Sequence, residues 1–474
     1  MTPTSPNGRL DLAIIGLGSG GMVAAEFAAG IGLRVAVIER ARPGGDCLWT
    51  GCVPSKALIA SAKAAHTMRT AHLLGLPDVS TTIDTAPVWQ RIRAVQDQIA
   101  HTDDDPARFE AMGVELVRGE ARITSPHTVR VTHSDGAVSS LETRRILICT
   151  GSRPAAPDLA GLSDASYLTS ENVFELDEAP DSVCFIGGGP IAVELAQAFA
   201  RLGVTTTLLQ KGPAILPREE PELVSLLTET LRSEGVAIHT GVETDRVTMS
   251  ERGATVHAGD RTWTARRLLV AAGRRPNVEG LGLEEIGVEV GPRGIVVDNR
   301  MRTAVDSIYA AGDVAGRYLF THSAAHEAVR AVRDMAFPGK GTVSDLIPWC
   351  TFTDPELAHV GLTETEARET HGDDVETWQI GLDHSDRARA ESAANGLVKV
   401  VTAKGKIVGG HILGPAAGEL IHELTLGIHN GMQLKELAFV HVYPTMSSSI
   451  GQLAAEAAIE GAKRFRWLVR KERG

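Results

Sequence analysis

Two cysteines close together in sequence are the residues best suited to do chemistry here. The stretch GGDCLWTGCVPSKAL, residues 44–58, carries Cys47 and Cys52 with four residues between them, followed by Pro54, Ser55 and Lys56. Two thiols at that separation close into a small ring where the backbone turns sharply, and Gly51 permits such a turn. A redox-active pair is the better reading, because a chain without secretory features has little use for a structural disulfide. Two unrelated buried thiols, or half of a metal site, are the alternatives. A metal site wants further Cys or His ligands nearby, and only His66 is near.

The elements that position this stretch begin just upstream. Residues 12–15 are a short apolar run, read as a buried parallel strand. Gly16, Gly18 and Gly21 follow in G-x-G-x-x-G spacing, then a helix-like run over 22–29, then a second strand ending at Glu39. Gly16 serves the tight turn, Gly18 the approach of a pyrophosphate to the backbone, and Gly21 the close packing of helix on strand. The helix N-terminus faces the phosphates, and Glu39 a ribose hydroxyl. A glycine-rich turn in some other α/β unit would not need the whole frame of strand, helix, strand and acid.

A second dinucleotide signature starts at Ser182, with Gly187, Gly189 and Ala192 in G-x-G-x-x-A form between strand and helix. Its second strand ends in Gln210 and Lys211 instead of an acid. A cation there suits a 2′-phosphate, so the reading leans to NADPH; NADH is served if Lys211 is only a solvated loop residue. Strands over 145–149 and 268–272 run into Thr150-Gly151 and Gly273, where backbone approaches a ligand or simply turns. A strand ending at Ala310 leads to Gly312 and Asp313. That acid is placed to meet a ligand, or to cap the helix expected from Thr321, or both. His322 and His326 share a helix face, but no third ligand completes a metal site and none is expected.

The 474 residues are too many for one ordinary core. With 43% hydrophobic and 22% charged residues the chain is globular, and a net charge of −12 excludes a general nucleic-acid binder. The opening MTPTSPNGRL has no apolar secretory region, and no run is long enough to span a membrane, so the cytoplasm is the expected address. Helices are expected over 57–73 and 86–98, with short strands at 114–117 and 128–131. From about Ile347 an α+β unit without a glycine fingerprint is expected, with a hairpin around Ala403-Lys404-Gly405 and helices over 418–430 and from 447. The basic end KRFRWLVRKERG reads as a solvated helix end whose cations complement the dipole.

The whole chain resembles the pyridine nucleotide-disulfide oxidoreductase family, most specifically in GGDCLWTGCVPSK, GGGPIAVELA, YAAGDV and TFTDPELAHVGLTE. The resemblance implies an α/β protein with two Rossmann-like FAD- and NAD(P)-binding domains and a C-terminal α+β dimerisation domain. It implies FAD-binding parts at 1–153 and 276–346, an NAD(P)-binding domain at 154–275 and a dimerisation domain at 347–474. By resemblance, Cys52 is the flavin-proximal sulfur that holds a charge-transfer thiolate, and Cys47 is the thiol that meets substrate. Lys56 pairs with Glu194 beside the flavin, and Asp313 binds the ribityl chain. Gly45, Thr150, Gly151, Gly273 and Gly312 join the cofactor contacts. A homodimer with an active site shared between subunits is implied.

One departure bears on the substrate. Members that reduce disulfides carry a His directly before Pro in the C-terminal motif, backed by a Glu five residues later, to move the substrate proton. Here those positions are Tyr443 and Ser448. Tyrosine, with an ordinary pKa of about 10, is a poor base at neutral pH. A Tyr there resembles mercuric reductase, in which a soft metal ion meets the thiols. Neither paired cysteines at the C-terminus nor an N-terminal metal-binding Cys pair is seen. His441, two residues earlier, is a substitute base if the backbone stays extended. The acceptor is expected to be a metal ion, a quinone or another small molecule, with lipoamide or glutathione disulfide served by an atypical shuttle as the alternative. An NAD(P)H-binding flavoprotein without turnover is the third reading.

Overall fold

The first glycine fingerprint folds by steric necessity. In the computed structural model, which describes residues 9–163, 165–339 and 341–463, the strand Leu10–Ile15 ends at Gly16, whose φ is +100°. A Cβ on Gly21 would lie 1.9 Å from the Gly16 carbonyl oxygen, so the helix Ser19–Gly30 rests on the turn at a distance that excludes any side chain. Strand Val35–Glu39 then pairs parallel with Leu10–Ile15.

These strands belong to a seven-stranded sheet. Its order is Glu115–Arg118, Val35–Glu39, Leu10–Ile15, Val138–Ile148, Thr128–Thr132, Glu120–Ser125, with Ile308–Ala310 also pairing with Val138–Ile148. The long strand Val138–Ile148 serves two arrangements. Its first half runs antiparallel to Thr128–Thr132, and its second half parallel to Leu10–Ile15 and Ile308–Ala310. Residues from two distant parts of the chain thus complete one sheet. Between them, a parallel sheet orders Val236–His239, Thr205–Leu209, Ser182–Ile186 and Arg267–Val270. The chain passes into and out of this middle unit through paired antiparallel strands, Ser152–Pro154 and Arg274–Pro276. The last sheet is antiparallel, in the order Trp349–Thr351, Glu356–Gly361, Lys406–Gly414, Leu397–Ala403, Val375–Gly381. Its hairpin turns through Lys404 (φ +51°) and Gly405 (φ +77°), both left-handed, as a two-residue connection matching strand twist requires.

The core that matters for function lies between helices. Leu58, Ala62 and Ala65 of helix Cys52–Arg69 share one buried cluster with Trp89 and with Ala192, Leu195, Ala196 and Phe199 of helix Pro190–Arg201. Trp89 and Phe199 meet with ring centroids 5.8 Å apart. Behind them Arg201, with a side chain 4% exposed, bonds Glu234 at 2.7 Å and Asp354 at 2.8 Å. That ion network ties the middle unit to the C-terminal sheet.

Several expectations are corrected. The helix placed at 57–73 runs Cys52–Arg69, because Pro54 falls in its first turn, where the missing N–H costs nothing. The strand placed at 145–149 is the second half of Val138–Ile148. Asp313 caps no helix at Thr321: it opens its own short turn Asp313–Ala315, and Phe320 precedes the helix Thr321–Ala336. Left-handed turns at Gly44 (φ +101°) and Gly45 (φ +56°) precede the cysteine pair, and between the two sulfurs the chain bends at Gly51 (φ −125°, ψ −111°), as expected. The segment around His441 is not a strand. The basic end lies outside the described residues from 464 onward.

Breaking a buried ion pair leaves an uncompensated charge, at a cost of about 3–5 kcal/mol. Arg201→Ala is therefore expected to destabilise the protein by about that amount in denaturant unfolding. A loss under ~1 kcal/mol, the size of a surface pair, would contradict the role given to this network.

Candidate active site

Helix Cys52–Arg69 begins at one of the two sulfurs, with Gly51 before it. Cys52 therefore sits where unpaired backbone N–H groups and the helix dipole favour negative charge. Cys47 lies in the preceding short helix Gly45–Trp49, and both sulfurs are free thiols in this structure. The Cys47 hydrogen bond, followed by the Thr321 hydroxyl at 3.3 Å and the charge of Lys56, outweighs burial and lowers the Cys52 pKa to about 6. The same bond and burial push Cys47 upward. One sulfur is thus a thiolate at neutral pH and its neighbour holds the proton.

Lys56 is one helical turn beyond Cys52, on the same face. Its ammonium donates to Glu194 Oε2 at 2.9 Å and lies 4.2 Å from the Phe352 ring centroid. The other Glu194 oxygen accepts the Phe352 N–H at 2.8 Å. The pair is fixed from three directions: the cysteine helix, the second fingerprint helix and the C-terminal sheet.

Both glycine fingerprints open into one cleft of about 2670 Å³ that also contains Cys47, Cys52, Lys56 and Glu194. Gly18 and Gly189 precede helices Ser19–Gly30 and Pro190–Arg201, and no side chain caps either one. Their N–H groups are left for phosphate oxygens. A Cβ on Gly45 would lie 2.7 Å from Gly18 Cα, so the cysteine stretch reaches the first fingerprint this closely only because residue 45 is glycine. A Cβ on Gly187 (φ +118°) would lie 2.3 Å from the Ala271 oxygen, while a Cβ on Gly189 would meet nothing within 4 Å beyond its own helix and chain neighbours. Glu39 accepts the Leu17 and Ala41 N–H groups, both at 2.7 Å, and lines the cleft. These features fit two dinucleotides.

The remaining expected residues divide. Thr150 and Gly151 bind Asn277 through the Thr150 hydroxyl and the Gly151 carbonyl, and both line the cleft with Gly273 and Gly312. Asp313 lines it as well; burial raises its pKa, against hydrogen bonding from Ser152 and the charge of Arg274. Gln210 folds back to Ala214, and Lys211 forms an exposed ion pair with Glu243 at 2.6 Å, so the second strand ends in a matched cation and acid. Tyr443 and His441 do not line this cleft. The Tyr443 hydroxyl donates to Asp386, which raises its pKa. Both ring nitrogens of His441 are engaged, with Phe439 O and Glu423 Oε1, each at 3.0 Å.

Sequence reasoning missed Thr321, Phe352 and Arg274. Arg274 joins Asp46, next to Cys47, to Ser152 and Asp313. The signal for Phe352 was present in TFTDPELAHVGLTE but without a partner to read it against. Thr321 was visible only as a helix start.

Comparison with known proteins decides the family. The model of the pyridine nucleotide-disulphide oxidoreductase family matches residues 10–328, and that of its dimerisation domain matches 347–454. This chain belongs to that family. The oxidoreductase is 35% identical to a dihydrolipoyl dehydrogenase of Chlorobaculum tepidum, over 95% of this chain and 97% of that protein. It is 36% identical to a mercuric reductase of Streptomyces lividans, over 94% and 95% of the two chains. The solved structure of LpdA from Mycobacterium tuberculosis superposes with a TM-score of 0.86 at 29% identity, covering 94% of this chain and 99% of that one. The oxidoreductase is accordingly an FAD flavoprotein that uses NAD(P)H, with a mixed α/β fold and a dimerisation domain that makes it a homodimer. No described helix is long and apolar enough to cross a membrane.

In the reduced oxidoreductase, alkylation of Cys52 by iodoacetamide is expected to speed up as pH rises through about 6, where thiol gives way to thiolate. Lys56→Met should move that midpoint upward, since a cation favouring the thiolate is lost. A wild-type midpoint at the ordinary thiol value of about 8.5 would contradict the electrostatics described.

Proposed function

We propose that this oxidoreductase passes electrons from NADPH through the Cys47–Cys52 pair to a soft metal ion, in the manner that the name of its mercuric reductase relatives suggests. The observation that carries the reading is at the C-terminal motif. Tyr443 replaces the usual His and is held neutral by Asp386, and His441 has both nitrogens engaged within its own chain. An acceptor disulfide needs a proton donor for its leaving thiol. A thiophilic ion needs only sulfur ligands.

Bound FAD supplies the two-electron link between the nicotinamide and the sulfurs. The protein residues set up what lies on either side of it. Gly16, Gly18, Gly21, Glu39, Gly45 and Asp313 hold the flavin dinucleotide, and Gly187, Gly189 and Lys211 the nicotinamide dinucleotide. The reading divides the chain near 153, 275 and 346, where the two-stranded connection and the start of the last sheet fall. Lys56, fixed by Glu194, keeps its charge beside Cys52 and favours the thiolate there. Cys47, which retains a proton in the dithiol, releases it when it binds the ion. Tyr443 serves the partner subunit's thiol from across the dimer interface as a neutral hydroxyl, which can donate or accept a hydrogen bond without ionising.

An acceptor panel tests this. NADPH oxidation is expected with Hg(II) and to fall by about two orders of magnitude or more in Cys47→Ser and Cys52→Ser, as loss of a nucleophile does. Lipoamide and glutathione disulfide are expected to turn over poorly. Fast lipoamide turnover would favour a dihydrolipoyl dehydrogenase with an unusual shuttle, and turnover of quinones by both serine variants would place the acceptor on the flavin. Glu243→Gln frees Lys211, so it should lower KM for NADPH and leave KM for NADH unchanged. Equal effects on both would remove Lys211 from 2′-phosphate recognition.

A further inference from the structure

Trp349 stands in the cleft where the middle unit meets the C-terminal sheet, and the electron path described above does not use it. Its ring lies nearly parallel to His359, with centroids 3.9 Å apart and planes 15° apart, and to Phe320 at 5.9 Å and 13°. The Arg218 guanidinium sits 4.6 Å from its centroid. The indole N–H donates to Glu219 Oε1 at 2.6 Å, and the other Glu219 oxygen meets His359 Nδ1 at 3.1 Å. Glu219 and His359 are buried, so this bonding fixes the indole's orientation rather than decorating a surface.

The origin of the contacts gives the wall its meaning. Arg218 and Glu219 belong to the same connection as Gln210 and Lys211, directly after the second strand of the second fingerprint. Trp349 is therefore fastened to the dinucleotide unit although it belongs to the C-terminal sheet. Its strand runs on to Phe352, whose N–H holds Glu194 of the second fingerprint helix, and Trp349, Cys350 and Phe352 all line the cleft that Pro190, Ile191 and Glu194 also line. A planar ring entering along the second fingerprint meets an aromatic edge there, with the Arg218 cation beside it for an anionic dinucleotide.

We propose that Trp349 is the side wall of the pocket that receives the nicotinamide ring, and that Glu219 is the positioning residue that fixes this wall. The assignment rests on the second fingerprint being the NAD(P)H unit. The test titrates FAD-loaded enzyme with NADP+, and then with NADPH, without acceptor, following tryptophan emission. Emission is expected to fall on binding, and most of that fall should vanish in Trp349→Phe. Trp349→Ala should weaken NADP+ binding about ten-fold, the scale of one lost aromatic contact. It should raise KM for NADPH similarly and leave KM for Hg(II) alone. Glu219→Ala should reproduce the weakening, whereas Glu219→Gln, which keeps an acceptor for the indole N–H, should restore most of the affinity. Should Trp349→Ala fail to fold, the emission of Trp349→Phe and the Glu219→Gln affinity decide. Full quenching in Trp349→Phe, unchanged affinity in the Glu219→Ala or Trp349→Ala variants, or a shift in KM for Hg(II) instead, would overturn the proposal. A wild-type enzyme that binds neither nucleotide fails the underlying reading of the fingerprint, and the wall with it; binding that the variants leave untouched fails the wall alone.

Discussion

The contact between Lys56 and Glu194 is the interaction on which the rest of the structure depends. The two residues are 138 positions apart, yet their charged groups meet at 2.9 Å. Nothing local brings them together. The apolar packing of helix Cys52–Arg69 on helix Pro190–Arg201 does, with Leu58, Leu195 and Phe199 in one buried cluster that also takes in Trp89. Glu194 is nearly buried, and a buried carboxylate is tolerated only when its charge is matched and its oxygens bonded. Lys56 and the Phe352 N–H meet both needs. One pair thus ties the redox helix, the second nucleotide unit and the C-terminal sheet to a common point, and the cleft takes its shape around it.

The asymmetry of the two sulfurs follows from that point. Cys52 sits at a helix start, near Lys56 and the Thr321 hydroxyl, while Cys47 sits one short helix upstream and keeps the shared proton. Two identical side chains are given different roles by position alone. Asp46, between Gly45 and Cys47, is held by Arg274, which also reaches Asp313. The backbone carrying Cys47 is therefore anchored to the strand pair through which the chain leaves the middle unit. The fixed geometry of the cysteine stretch comes from these side chains and from the glycine contact between Gly18 and Gly45.

Much of this was legible in the sequence because it is enforced over short distances. Gly16, Gly21 and Gly187 occupy positions where a Cβ would strike a carbonyl oxygen, and such constraints leave a readable spacing. The hairpin at Lys404 and Gly405 has the same local origin. What was not legible depends on partners far along the chain. Residues 142–145 look polar, yet they lie within a single strand because it changes neighbours there. His441 reads as a free base until Glu423 is found beside it, and Trp349 reads as one apolar residue until Glu219 is found 130 positions away. Asp313 reads as a cap until the turn after it closes on Gly316.

The central claim is that reducing equivalents reach a pair of sulfurs beside the flavin. Anaerobic reductive titration of the purified, FAD-loaded enzyme, with dithionite as the electron source, measures this directly. The wild-type protein is predicted to take up twice the electrons that a flavin alone accepts, and the Cys47→Ser/Cys52→Ser double variant only the flavin's share. Equal uptake by the two proteins would contradict the account, because the sulfurs would then stand outside the electron path.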